Sequence, residues 1–248
     1  MLLHAVLIIA LGFFNLALRA QDSLDHARQA QALLGPGVWS QVIQVKNESR
    51  GRVYPATVHA LVFELAGILW FYTDANGTQS FSLHVGRLEE EKADFAPLLR
   101  DINRGFTRWS VLPDAAPPAE ARTEPLKNGC FIESVAALRE RLARQAGIRE
   151  PRLLSYYLRT GAAAAGHTVL AYDVDGHVEI FDPARPTDHL EYPRRVGRDA
   201  LGLAQALEGG RVTSARYVPM PEGLPATSVA SAAGEGRAGI VANDLMGS

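Results

Sequence analysis

The stretch "HTVLAYDVDGHVEIFDP", residues 167–183, leaves the chain little choice of local structure. Two apolar runs flank Asp175–Gly176, a dipeptide suited to the positive φ angles of a tight hairpin turn. One strand is expected from His167 to Tyr172 and its partner from His177 to Phe181. Pairing about the turn sets residue 167 near residue 183 or 184, so Asp182 lies beside His167 at one end of the sheet. A carboxylate there accepts the imidazole Nδ1–H and leaves Nε2 free to face a third group. Asp173 and Asp175 read as turn residues, and His177 as a surface residue.

The third group is suggested by "KNGCFIESVAAL", residues 127–138, which holds the only cysteine of the 248 residues. From Cys130 onward, Phe131, Val135, Leu138 and Leu142 recur on one helical face, with Arg139, Glu140 and Arg144 mostly on the other. Gly147 ends the helix. Cys130 thus stands at a helix start, where unsatisfied N–H groups and the dipole favour a negative charge. Alone, it reads most simply as a small buried hydrophobe. With His167 and Asp182 it reads as a nucleophile with its base and orienter, provided the helix packs on the hairpin's sheet.

The remaining segments frame these two. Residues 23–34 fit a short helix capped by Ser23. "VWSQVIQVKN", "ATVHALVFEL", "GILWFYTD" and "TQSFSLHV" read as an antiparallel meander with turns at 66–67 and 74–77. Phe95, Leu98, Leu99 and Ile102 have helical spacing, and the Pro- and Ala-rich stretch 111–125 reads as a linker. Beyond the cysteine helix, "PRLLSYYLRT" reads as a second helix with Pro151 in its first turn. The hairpin, a helix in "RDALGLAQALEGG" and a strand in "RVTSARYVP" complete the body.

The first twenty residues are an apolar run ending in "LRA", which reads as a secretory signal peptide, with an uncleaved membrane anchor as the alternative. The expectation is a secreted or periplasmic protein with no stable membrane insertion once the signal is removed. With a single cysteine such a chain has no internal disulfide and depends on its core. Its 25 basic and 27 acidic residues form no basic stripe, which argues against nucleic acid as a partner. His26, His59 and His84 share no ligand spacing, so neither a metal nor a cofactor is expected. The organisation read from these features is a signal at 1–20, a β-rich domain at 21–110, a linker at 111–125, a second domain at 126–219 and a disordered tail at 220–248. The fold class is α+β.

Cys130 at a helix start and the run "GHTVLAYDVDGHVEIFDP", Gly166 to Pro183, resemble the papain-like cysteine peptidase superfamily in its short bacterial forms, the transglutaminase-like peptidases and the peptidase domains of bacteriocin exporters. The likeness covers residues 125–218. It implies a cysteine helix packed on an antiparallel sheet, and a Cys130–His167–Asp182 triad that cleaves or transfers acyl groups of a peptide or protein through a thioester. Where the superfamily carries an oxyanion-binding Gln, six residues before the cysteine, this chain has Glu124. The donors are then the Cys130 backbone N–H with Asn128 or Lys127. The alternative function is a catalytically inactive papain-like module whose N-terminal domain binds a protein or glycan. Oligomeric state is not legible.

Overall fold

The computed structural model describes residues 22–49, 54–80, 88–113, 125–144, 147–160 and 163–219. The expected signal, the expected tail and Glu124 lie outside these residues. Among the described residues there are five α-helices and ten strands: α1 (22–34), β1 (Ser40–Asn47), β2 (Thr57–Leu65), β3 (Ile68–Thr73), β4 (Gly77–Ser80), α2 (Leu88–Ala93), α3 (Ala96–Ile102), β5 (Phe106–Val111), α4 (Cys130–Arg144), β6 (Arg149–Thr160), β7 (Ala163–Val174), β8 (His177–Phe181), β9 (Leu190–Pro193), α5 (Ala200–Glu208) and β10 (Val212–Pro219). The strands form two five-stranded antiparallel sheets, ordered β4-β3-β2-β1-β5 and β10-β6-β7-β8-β9. Helices packed on antiparallel sheets make this an α+β fold. Among the described residues no helix is long and apolar enough to cross a membrane.

The layers alternate. Leu98 and Leu99 of α3 cover one face of the first sheet, against Ile43, Val62 and Phe71. Leu203 and Ala204 of α5 cover the outer face of the second, against Leu154, Val169 and Ile180. Between the sheets lie α1 and α4. Ile132, Val135 and Leu138 of α4 are fully buried in a cluster that holds Leu61, Phe63 and Trp70 of the first sheet and Leu153, Leu170 and Tyr172 of the second. The Phe131 ring meets Trp70 at 4.5 Å between centroids. The boundary read between residues 110 and 126 separates the sheets, yet their inner faces share one core.

The segment expected as a second helix, "PRLLSYYLRT", is β6. It is a central strand covered on both faces: Leu153 enters the inter-sheet core, while Leu154 and Tyr156 enter the core under α5. With both faces buried the apolar residues lose their period of two and mimic helical spacing. Two strands, β5 and β9, were not expected from the sequence. Ser23 lies within α1 and its hydroxyl pairs with His59 Nδ1 at 2.9 Å, so it is a buried helix residue and not a cap. By contrast, α5 is capped as residue chemistry dictates, with the Asp199 carboxylate accepting from the N–H groups of Leu201 and Gly202.

All three tryptophans, Trp39, Trp70 and Trp109, lie in the first half of the chain, which makes the shared core testable. Leu138→Ala, in the helix between the sheets, is expected to cost about 2–5 kcal/mol. Urea midpoints followed by tryptophan fluorescence and by far-ultraviolet circular dichroism should fall together. A variant that shifts the dichroism alone would show that the sheets unfold independently.

Candidate active site

Residues 126–133 bring Cys130 to a helix start through a tight turn. The Gly129 N–H donates to Leu126 O at 2.9 Å, and Gly129 O accepts the first helical bond from the Glu133 N–H. Asn128 has φ +54°, and a Cβ on Gly129 would come within 2.5 Å of the Leu126 side chain, so glycine is required there. The Glu133 carboxylate reaches back to the Leu126 N–H at 2.7 Å. Cys130 is therefore the first residue of α4, partly exposed, and its own N–H belongs to the first-turn group that has no acceptor within the helix.

The turn is held from the opposite sheet. Tyr72 Oη of β3 donates to Lys127 O at 2.7 Å, and the Asn128 side-chain amide donates to Asp74 O at 2.7 Å and Ala75 O at 3.4 Å in the β3–β4 turn. The Lys127 ammonium stands 3.7 Å from the Asp74 carboxylate. The side chains of Asn128 and Lys127, considered from sequence as oxyanion donors, are thus directed at the first sheet. Gly129, Cys130 and Phe131, at the start of α4, border the cleft.

The hairpin follows its predicted register. Val174 pairs with His177 across Asp175 and Gly176, whose φ values of +47° and +89° suit the two-residue turn. Leu170 pairs with Phe181, and continuing that register sets residue 167 opposite residue 184. Strand β8 stops at Phe181, so the part of β7 carrying His167 has β6 on one side and an open edge on the other. His167 pairs with Tyr156, on the α5 side of the sheet, and meets its ring edge-on at 5.5 Å. The imidazole also interacts with the Cys130 thiol, and the two residues border the same cleft.

His167 Nε2 stands 2.8 Å from Asp182 Oδ1. This corrects the expected orientation, in which Nδ1 faced the carboxylate. An ionised carboxylate only accepts, so Nε2 carries the proton, and Nδ1 is the ring nitrogen not bound to the carboxylate. The side chain of Asp182 is 1% exposed and fully engaged. Its Oδ1 also accepts the Ala184 N–H at 2.9 Å, and its Oδ2 accepts Arg185 Nε at 2.9 Å. Arg185 in turn donates to Glu208 Oε1 of α5 at 3.1 Å, which also accepts Tyr156 Oη at 3.2 Å. Burial works to raise the Asp182 pKa, but the bonds from His167, Ala184 and Arg185 outweigh it and lower it to about 2. Burial likewise works to lower the His167 pKa, and the bonds to Asp182 and Cys130 outweigh it and raise it to about 9.

Cys130 and His167 border a cleft of about 1030 Å³ whose walls come from both sheets. Trp70 and Gly77 contribute from the first, and Tyr157, Gly166 and His167 from the second. Glu133 also borders it, with a pKa raised by burial despite the Leu126 N–H and nearby His167. Tyr157, 56% exposed, lies against Gly166, where a Cβ would come within 3.4 Å of the ring. Sequence reasoning missed Tyr157, Glu133, Tyr72 and Arg185. Only Glu133, three residues beyond the cysteine on a helix, had a local signal. Asp173, read as a turn residue, is a buried strand residue paired with Arg152 at 3.1 Å and Arg194 at 2.7 Å.

Comparison of the chain with protein-family models, with curated proteins and with solved structures found no match.

Proposed function

We propose that the chain is an exported cysteine peptidase or acyl transferase with a papain-like arrangement, Cys130 acting as nucleophile, His167 as general base and then acid, and Asp182 as the residue that orients the imidazole. The observation that carries the reading is the desolvated His167–Asp182 pair beside a thiol on the first residue of a helix. The thiol proton passes to His167 Nδ1 before substrate binds, so the resting pair is thiolate and imidazolium, and the thiolate sulfur bonds to the carbonyl carbon of a peptide in the cleft. The carbonyl oxygen becomes an oxyanion, which accepts from the N–H groups at the start of α4. The imidazolium returns the proton to the departing amine as the C–N bond breaks, leaving a thioester on Cys130. Water or a second amine then attacks that thioester, with His167 again accepting the proton and the sulfur leaving. Exposed Tyr157 offers an apolar surface to the substrate beside the reacting carbonyl.

Acyl trapping tests the proposal. Intact-protein mass spectrometry after incubation with activated acyl esters should show one acyl group on Cys130, removed by hydroxylamine as a thioester is. Cys130→Ala should show none and retain the wild-type dichroism spectrum. His167→Ala should acylate about 10²–10⁴-fold more slowly. Acylation at equal rates in wild type and His167→Ala would sink the reading.

The charge state of the imidazole gives an independent check. The folded pKa of His167 lies above the ordinary 6.5, so the imidazolium persists through neutral pH and is lost as pH rises through about 9. Nuclear magnetic resonance of the ring should place the midpoint near that value, and acylation should decline over the same range. Asp182→Asn removes a bond that favours the imidazolium, and the midpoint should move down toward 6.5. A wild-type midpoint already at 6.5 contradicts the pairing.

A further inference from the structure

We infer that a divalent transition-metal ion of the zinc type binds on the β8–β9 ribbon, held by His177, Glu179 and Glu191, with His189 as fourth ligand. His177 and Glu179 are two residues apart on β8 and share a face. Glu191 of β9 is the direct cross-strand partner of Glu179. One ligand atom from each of these three lies within 4.8 Å of the other two. His177 Nε2 is 3.6 Å from Glu179 Oε1 and 3.7 Å from Glu191 Oε1. Ligands on a tetrahedral zinc at about 2.1 Å stand roughly 3.4 Å from one another, so the present separations need only small adjustment. His189 Nε2 is 2.9 Å from Glu191 Oε1, and as a mostly exposed side chain it can turn to the same point.

Three further observations point to a cation here. Two carboxylates directly opposed across an antiparallel pair repel, and a shared cation removes that cost. His177 Nε2 is shielded from solvent without a hydrogen-bond partner, being too far from either carboxylate. Glu179 is oriented from behind: Tyr172 Oη donates to its Oε2 at 2.7 Å, and Arg141 donates to Tyr172 Oη. That leaves Oε1 toward His177, the arrangement that holds a carboxylate ligand in place. Two imidazoles with two carboxylates suit zinc or its neighbours better than calcium or magnesium, which prefer oxygen alone.

The ligands stand on both sides of the β8–β9 connection. His177 and Glu179 precede it, His189 and Glu191 follow it, and it carries Asp182, Ala184 and Arg185. The Ile180–Leu190 pair already closes this loop, and an ion there ties the two strands together immediately behind that pair.

Zinc chloride titrated into the full chain after chelator treatment, read by calorimetry, should give one saturable site and a Tm that rises with zinc. Because Cys130 and His167 can also bind zinc, Cys130→Ser is titrated in parallel and should retain the site. Cobalt should give the visible bands of a tetrahedral ion without a thiolate charge-transfer band. His177→Ala and Glu191→Gln should lose the site while keeping the wild-type dichroism spectrum, and Tyr172→Phe should bind about 10–100-fold more weakly. The inference is overturned if zinc does not saturate, if His177→Ala or Glu191→Gln binds as wild type, or if Cys130→Ser abolishes binding.

Discussion

The fold depends on the burial of α4 between two sheets. A surface helix carries one apolar stripe, but α4 meets apolar neighbours from both sheets, and its residues 131, 132, 135 and 138 are all buried. A helix enclosed this way cannot slide or rotate without opening a void on one side, so its first residue is placed by the packing along its length. The turn before it is fixed by a second constraint of the same origin. Tyr72, on the strand that also carries the core residue Trp70, holds the Lys127 carbonyl, and the β3–β4 turn holds the Asn128 amide. The first sheet therefore supplies the seat for Cys130 and one wall of the cleft, besides half of the core.

Burial and polarity are in tension around His167 and Asp182. Removing a carboxylate and an imidazole from water is costly unless every lone pair and proton finds a partner. Here Asp182 receives three donors, and the chain of Arg185, Glu208 and Tyr156 ties the pair to α5. The resulting shifts have opposite consequences for stability. The raised His167 pKa contributes fully below about 6.5 and is lost as pH rises through about 9. The lowered Asp182 pKa contributes fully above about 3.8 and is lost as pH falls through about 2. Both contributions are complete from about pH 4 to 6.5, so the pair favours the native state in mild acid.

What could be read from the sequence was local. The Asp175–Gly176 turn fixes the register, and with it the neighbourhood of residue 167 and Asp182. The spacing of Phe131, Val135 and Leu138 marks α4, and Asp199 with the following glycines marks α5. The misreadings arise where burial has two faces or partners are distant. Strand β6 feeds two cores and so lost its alternation. Strand β5 has its partner, β1, some sixty residues earlier, and β9 is four residues long. Asp173 looks like a turn former beside Asp175, but its arginine partners come from β6 and from the segment after β9. The clasp of Tyr72 and Asn128 joins residues more than fifty positions apart, and no spacing rule reports it.

Strand β8 shows how the period of two divides chemistry. Val178 and Ile180 face α5, and Asp182, next in that parity, continues into the polar network beneath that helix. His177 and Glu179 face the other way, and Glu179 meets Tyr172, whose ring is part of the inter-sheet core. Two polar clusters thus lie on opposite faces, one on β8 and one just past its end, without sharing a hydrogen-bond partner. The first residue of the connection to β9 is the buried carboxylate bonded to His167, and the strand pair that closes it is Ile180 with Leu190, one step inside Glu179 and Glu191. Asp182 meanwhile is held at the start of that loop by its own donors, the Ala184 N–H and Arg185 Nε.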